Sequence, residues 1–200
     1  MTPAADRSGR IGPNAISRIA QALEDQHGTA AARRVFHAAR LESYLANPPQ
    51  DMVDEDEVAR LHHALHRELG TEAAADVATA AGRLTGGYLL AYRIPALAKP
   101  VLSLLPPSPS ARLLLNAIAK HSWTFSGSGV FTYVSGDPIR VSITNCPVCR
   151  QTRSASPVCQ FYTATFETIF RALVSPHTRV VETLCQATGA SSCTFEISWR

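Results

Sequence analysis

Residues 181–197 read VETLCQATGASSCTFEI, and they decide how the C-terminal part of the chain folds. β-Branched and aromatic residues lie at both ends of the stretch, and a short polar connection that contains Gly189 separates them. A glycine-containing connection of this length is typical of a β-hairpin. The pattern therefore predicts two antiparallel strands, about Arg179 to Ala187 and Ser192 to Trp199.

Two cysteines of this hairpin come together if it turns about Gly189. Cys185 then lies across from Cys193, because opposed residues of a strand pair have Cβ atoms roughly 4.5–5.5 Å apart. Cys193 alternates with polar residues, which points it inward, towards a predicted helix that carries Cys159. Three thiolates and the carboxylate of Glu182 would suit tetrahedral zinc. Glu182 and Cys185 are three residues apart, so both bind one ion only if the strand bulges between them.

Spacing alone leaves a second interpretation open for these four residues. Cys159, Cys185 and Cys193 are equally compatible with ordinary buried thiols, and Glu182 with a solvated carboxylate. A disulfide framework is not favoured, because the chain has five cysteines, an odd number.

The remaining two cysteines form a C-x-x-C motif, Cys146-Pro147-Val148-Cys149. Such a motif is a redox pair in some proteins and half of a metal site in others. A polar stretch, Arg150 to Ser154, follows it, and neither a second C-x-x-C nor a nearby histidine completes a zinc set. We expect an exposed pair that lies outside the metal site.

Upstream of the hairpin, the pattern predicts one packed helix and a further group of strands. The helix covers Ser156 to Val174, with Tyr162, Phe166 and Phe170 at i, i+4 and i+8. Aromatic and β-branched residues alternate with small polar ones from Trp123 to Thr144, which predicts three short antiparallel strands.

The first 120 residues have the periodicity of helices. Asp54, with Glu57 three residues later, resembles a capping box and marks one helix start. Predicted helices cover about 13–28, 29–45, 54–69, 71–92 and 111–120.

This order of elements predicts an α+β protein, with N-terminal helices followed by an antiparallel sheet and one packed helix. At 200 residues, 46% of them hydrophobic, the chain fits a single domain over residues 1–200. Its helical half covers about 11–120, and its second half about 121–200.

Charge and hydropathy bear on partners and location. The net charge is +3 from 19 basic and 16 acidic residues without a basic block, which argues against a nucleic-acid partner. Met1 to Arg10 contains no apolar run of the length of a signal peptide. Charged and proline residues interrupt the most apolar stretch, Tyr88 to Leu105. We expect a cytoplasmic protein in which this stretch could lie against a membrane.

Histidines and aromatic residues are further candidates for binding. His62, His63 and His66 fall on the third predicted helix beside charged residues, which favours a solvated helix face over a metal site. His121 lies where a helix gives way to a strand; it is a candidate axial ligand of a tetrapyrrole, although capping or surface exposure explains it too. Trp123 would offer a flat apolar surface beside it.

Four segments resemble the C-terminal signature of the 4-vinyl-reductase domain family: 156–162, 181–187, Gly189 and 193–197. The same domain is the sensory module of phenol-responsive transcription activators, where three cysteines and a glutamate bind zinc in the same order. The resemblance thus implies zinc ligands at Cys159, Glu182, Cys185 and Cys193.

The resemblance also implies a fold and a function. The fold would be that of the Bet3 vesicle-tethering subunits, often dimeric, with an apolar ligand cavity that residues such as Tyr162 and Phe166 would line. Residues 12–16 and 146–159 are most similar to family members that serve bacteriochlorophyll synthesis. The implied function is a carrier or accessory protein that holds a magnesium-porphyrin intermediate. Its implied partners are the large subunit of magnesium chelatase and the methyltransferase that follows it.

The family name implies a different function, the reduction of a vinyl group (4-vinyl or 8-vinyl) on a divinyl chlorophyll precursor. Such an enzyme needs a source of hydride or electrons. The sequence contains no G-x-G-x-x-G after a predicted strand and no P-loop, and zinc with four protein ligands has no redox chemistry. We therefore favour the carrier and keep the reductase as the alternative.

Overall fold

The computed structural model describes residues 9–199. Its N-terminal part is helical, with two short strands. In chain order the elements are β1 (Arg10–Ile11), α1 (Asn14–Ala39), α2 (Ser43–Ala46), β2 (Val53–Asp54), α3 (Glu55–Leu69) and α4 (Thr71–Tyr88).

A π-helical turn, Leu89–Arg93, leads from these elements into the second part. The remaining elements are α5 (Ala98–Leu104), α6 (Pro107–Lys120), α7 (Trp123–Ser126), β3 (Val130–Val134), β4 (Ile139–Thr144), α8 (Gln160–Leu173), β5 (Arg179–Leu184) and β6 (Cys193–Ser198). A 3₁₀ turn, Gln186–Thr188, lies between the last two strands.

The larger sheet is antiparallel and has the strand order β3-β4-β6-β5. Helix α8 packs on one face of it, where the rings of Phe166 and Phe195 lie 5.7 Å apart between centroids. Buried side chains of the helices and of the sheet join in one continuous hydrophobic core. The predicted α+β class, with N-terminal helices and one helix packed on an antiparallel sheet, is confirmed.

Helices α4 and α8 join the two halves through a seam of very close backbone contact. A Cβ atom added at Gly82 would lie 2.4 Å from the carbonyl oxygen of Phe161, and one at Gly86 would lie 2.6 Å from Thr168 Cβ. Thr165 strengthens the seam, because its hydroxyl lies 3.1 Å from Gly82 O and 2.7 Å from Phe161 O. Only glycine permits this approach, and it leaves no space between the two helices for a bound molecule.

Several predicted boundaries need correction, and local backbone conformation explains them. The first two predicted helices form one element with a break at Gly28, where φ is 76°. The second part ends at Ala39 rather than Leu45, because Arg40 adopts the left-handed conformation with φ 60°.

The region predicted as three strands contains only two. Trp123 starts the short helix α7 instead, where Ser126 N donates to Ser122 O at 2.8 Å. Serine and threonine side chains that bond to nearby carbonyls favour such a turn over a strand. Helix α6 begins at Pro107, four residues before the predicted start, because proline is tolerated in a first helical turn.

The segment from the π-helical turn through α5 exposes several large apolar side chains. Tyr92 is 76% exposed, Leu97 84% and Leu104 86%. None of the helices in residues 9–199 has both the length and the hydropathy to cross a bilayer. The expectation about the N-terminal ten residues concerns mainly residues 1–8, which lie outside the described part.

Candidate metal centre and surface groove

All five cysteine thiols meet in one buried cluster. Cys159 precedes α8, and Cys185 and Cys193 lie at the facing ends of the β5–β6 hairpin. The Sγ atom of Cys159 is 3.6 Å from that of Cys193 and 3.9 Å from that of Cys185, and the last two are 3.9 Å apart. These separations suit sulfur atoms that surround one metal ion.

Glu182 joins the three thiols, and the donor atoms of Cys159, Glu182, Cys185 and Cys193 all lie within 4.8 Å of one another. A register shift in the hairpin makes this possible, since Glu182 pairs with Phe195 whereas Leu184 pairs with Thr194. The shift is the bulge that the spacing of Glu182 and Cys185 requires. The structure thus brings together the four residues predicted as zinc ligands.

The carboxylate of Glu182 lacks a partner for one oxygen. Its Oε2 accepts a hydrogen bond from Cys159 N at 2.7 Å, whereas Oε1 is buried and has no hydrogen-bond partner within residues 9–199. Burial, followed by the nearby Cys185, raises the pKa of Glu182 to about 9. A buried, unpartnered oxygen among thiols is the environment that a cation would stabilise, so these residues fit tetrahedral zinc.

Cys146 and Cys149 belong to the same cluster, contrary to the prediction of an exposed pair outside the site. Both are buried, at 0% and 1% exposure. The Sγ atom of Cys146 lies 3.8 Å from that of Cys159, and the Sγ atom of Cys149 lies 3.3 Å from that of Cys193. Together with Cys159 and Cys193 they form a second group of four donors within 4.8 Å.

Contacts from distant parts of the chain hold the C-x-x-C turn in place. Arg150 forms an ion pair with Glu55 at 2.8 Å, and their side chains are only 19% and 8% exposed. The second oxygen of Glu55 accepts from Ser128 N at 2.7 Å. On the other side, Cys146 N donates to Gln186 Oε1 at 2.7 Å. Helix α3, the β3 loop and the terminal hairpin therefore all position this turn.

His62 is buried rather than solvated, at 1% exposure, so the prediction of a solvated histidine face is wrong at this position. Its ring contacts the ring of Phe161 edge to face, at 5.7 Å between centroids, and neither ring nitrogen has a hydrogen-bond partner among residues 9–199. Burial lowers the pKa of His62 to about 3. Its place four residues after Val58 and three before Leu65, on the apolar stripe of α3, was the available signal.

The residues predicted to contact a ligand lie in two different environments. His121 is exposed at the end of α6, and its Nδ1 lies 3.0 Å from Ala117 O, while Trp123 is half-buried in α7. Tyr162 and Phe166 are buried at 3% each on the core face of α8, where the Tyr162 hydroxyl donates to Phe125 O at 2.6 Å. The structure does not gather these four around one cavity, and their ligand role stays a prediction.

A surface groove of about 760 Å³ runs along the opposite face of α8, beside the seam with α4. Its lining is mostly apolar, with Arg83 from α4 and Arg171 and Glu167 from α8. A second hollow of about 420 Å³ adjoins it at Arg83 and is lined by residues that include Arg18, Tyr88 and Tyr92. Arg83 is exposed and makes no ion pair within residues 9–199, which leaves its charge available to an anionic group.

Comparison with known proteins gives matches over nearly the whole chain. The bacteriochlorophyll synthase 23 kDa chain of Cereibacter sphaeroides is 44% identical over 188 residues, which cover 94% of this chain and 90% of that protein. The protein of the same name from Rhodobacter capsulatus is 37% identical over 190 residues, which cover 95% and 87%. The chain belongs to the family of bacteriochlorophyll synthase 23 kDa chains.

The vinyl-4-reductase domain matches residues 139–198 of this family member. The matched part starts with β4 and extends to the end of β6, so it contains α8, all five cysteines and Glu182. The resemblance seen in segments 156–162 and 181–197 is therefore confirmed.

Solved structures similar to this 23 kDa chain include H-NOX proteins. An Fe(II) unliganded H-NOX mutant from K. algicida has a TM-score of 0.62 at 10% identity and covers 95% of this chain and 97% of its own. An H-NOX structure solved to probe heme distortion in that family has a TM-score of 0.55 at 13% identity, with 94% of each chain covered. At these identities the likeness shows a shared fold.

Proposed function

We propose that the protein is a tetrapyrrole-binding accessory or carrier protein of bacteriochlorophyll biosynthesis that holds a magnesium-porphyrin intermediate. The observation that carries the proposal is the similarity over nearly the full length to two bacteriochlorophyll synthase 23 kDa chains. A second observation supports it, since an H-NOX protein of similar fold is described by the distortion of its heme, so this fold holds a tetrapyrrole in another family.

The groove beside α8 is the site proposed for the pigment. Its volume of about 760 Å³ is within the range of pockets that bind small molecules. Its apolar lining suits a flat, poorly soluble macrocycle, and Arg83 would pair with a carboxylate of the porphyrin. Tyr162 and Phe166 would support the floor of this groove from the core side of α8, and His121 and Trp123 remain candidates for an axial ligand and a stacking ring.

The metal centre would serve as the frame of this site. Zinc bound by Cys159, Glu182, Cys185 and Cys193 would tie the start of α8 to the β5–β6 hairpin. Gln160, which follows Cys159, lines the groove, so the metal-bound segment continues directly into its wall. The ion supplies a closed structural site, and binding falls to the groove.

Binding of magnesium protoporphyrin to the zinc-containing protein, followed by its absorption band, tests the proposal. We expect one pigment per chain, and Arg83→Ala should weaken binding about tenfold, the effect of losing one charge-assisted hydrogen bond. Arg112→Ala is the matched control, because Arg112 is an exposed arginine of α6 outside the groove. An unshifted band at all protein concentrations would contradict the proposal. His121→Ala tests the axial-ligand role separately.

Partner binding is the last part of the proposal. We place the docking surface for the large subunit of magnesium chelatase on the exposed apolar segment that contains Tyr92, Leu97 and Leu104, because the relatives are named as a chain of a synthase. The following methyltransferase is the second partner, and self-association to a homodimer is also proposed. Leu97→Asp with Leu104→Asp should abolish co-purification with the chelatase subunit. Loss of vesicle binding alone would instead assign this surface to a membrane.

A further inference from the structure

Six donor side chains form the metal centre, and they divide into two groups of four. One group is Cys159, Glu182, Cys185 and Cys193, and the other is Cys146, Cys149, Cys159 and Cys193. Cys159 and Cys193 belong to both groups, and each group has two further donors of its own. Six donors that share two members are the number that two four-coordinate ions require when a pair of thiolates bridges them.

The distances agree with this arrangement. A zinc–sulfur bond of about 2.3 Å gives a tetrahedron whose sulfur–sulfur edge is ~3.8 Å. The edge shared by the two groups, Cys159 to Cys193, measures 3.6 Å. In the second group the edges Cys146 to Cys159 and Cys149 to Cys193 measure 3.8 and 3.3 Å. Both groups are thus as compact as the coordination sphere of a single zinc ion.

We propose, as an extension of the zinc site above, that the centre binds two zinc ions bridged by the thiolates of Cys159 and Cys193. Cys185 and Glu182 complete the first ion, and Cys146 and Cys149 complete the second. Because the thiols bind as thiolates, loading both ions releases their protons. Zinc is the ion of choice, because four sulfur donors at tetrahedral spacing select soft or borderline metals.

The charge of the cluster favours two ions over one. Five thiolates and one carboxylate carry six negative charges, and one divalent ion offsets only two of them. With a single ion in the first group, the buried thiols of Cys146 and Cys149 would stay protonated beside metal-bound sulfur. A second divalent ion removes that mismatch in a region where unpaired buried charge is costly.

The surroundings also prepare the second group for a metal. Arg150, directly after Cys149, is anchored to Glu55 at 2.8 Å, and Cys146 N is anchored to Gln186 at 2.7 Å, so the turn is held against the cluster. Gln186 N lies 3.4 Å from Cys193 Sγ and donates towards it, which stabilises charge on that sulfur. These contacts position both cysteines before any ion arrives.

Zinc counting in the full-length protein tests the proposal. Protein made in zinc-supplemented medium and purified with reductant but without chelator should contain two zinc ions per chain by elemental analysis. Cys146→Ser with Cys149→Ser should contain one, and Cys185→Ser should also retain one. Val148→Ala is the matched control, because it alters the same buried turn without removing a donor, and it should retain two.

Each deviation has a defined meaning. One zinc in the wild type that survives in the Cys146/Cys149 double variant overturns the second ion and leaves the first site intact. One zinc that is lost in that variant and kept in Cys185→Ser overturns both ligand assignments. Cadmium-113 NMR of the cadmium-loaded wild type is independent of any variant's folding. It should show two resonances per chain, and a single resonance would refute the two-ion centre.

Discussion

Cys149 and Cys193 are 44 residues apart in the chain, yet their Sγ atoms lie only 3.3 Å apart. This contact brings the C-x-x-C turn and the terminal hairpin into one unit. Since Arg150 next to Cys149 is paired with Glu55 of α3, the same unit is linked to the N-terminal helices. The metal centre therefore lies where the two halves of the chain are joined, and loss of its contacts should affect the whole fold.

The hairpin cysteines should control both metal content and stability. Cys193→Ser removes a donor common to both groups of the cluster, so we expect loss of bound zinc and a free energy of unfolding lower by more than ~3 kcal/mol. Elemental analysis and urea unfolding measure the two effects. Ser191→Ala, an exposed change in the same hairpin, is the control and should alter neither. Full zinc content in Cys193→Ser would show that the ligands are misassigned.

The Glu55–Arg150 pair should contribute to stability because it is largely buried. Arg150→Ala leaves the Glu55 carboxylate at 8% exposure without its cation, which should cost about 2–4 kcal/mol. A double-mutant cycle with Glu55→Ala should show that the two changes together cost less than their sum. Arg140 and Glu196, with side chains 62% and 31% exposed, are the control pair, and their coupling should stay below ~1 kcal/mol. Additive costs at Glu55 and Arg150 would argue against coupling.

The α4–α8 seam should not tolerate a side chain. Gly82→Ala would place a Cβ atom 2.4 Å from the Phe161 carbonyl oxygen, so the helices must separate, and we expect a loss of ~2 kcal/mol or more. Gly87→Ala is the matched control on the same helix, because no atom lies within 4 Å of its added Cβ. Alanine favours helix there, so that change should be neutral or stabilising by up to ~1 kcal/mol. Equal effects of the two changes would disprove the tight seam.

His62 should contribute to acid sensitivity. Its pKa is lowered by burial, and secondarily by His66, to about 3, whereas Cys149 acts in the opposite direction. The unfolded chain thus binds more protons between about pH 6.5 and pH 3, so stability falls as pH decreases through that window, by up to ~1.4 kcal/mol per pH unit. His62→Leu should flatten this slope relative to the wild type in urea unfolding from pH 7.5 to 4. Parallel stability curves for the two proteins would contradict the burial of His62.

Local pattern was sufficient for the hairpin and for its ligands. Alternation and a glycine connection predicted β5 and β6, and the three-residue spacing of Glu182 and Cys185 required the bulge that the register shift provides. These are short-range features, because both strands and their connection lie within about 20 residues.

The position of the C-x-x-C turn could not be predicted in the same way. Cys146 reaches the cluster through Gln186, 40 residues away, and Arg150 through Glu55, 95 residues away. Polar residues such as Arg150 suggested an exposed loop, although here the charge is satisfied by a buried partner. The groove was equally inaccessible to sequence reasoning, since Arg83 and Arg171 come from helices far apart in the chain.

Incubation of the pure zinc-containing protein with a divinyl magnesium-porphyrin and an electron donor, followed by chromatography of the pigment, tests the central claim most directly. NADPH, reduced ferredoxin and reduced flavin serve as donors in turn. The carrier account predicts that pigment is bound at one molecule per chain and recovered unchanged with every donor. Monovinyl product formed in excess over protein would contradict it and would establish a vinyl reductase instead.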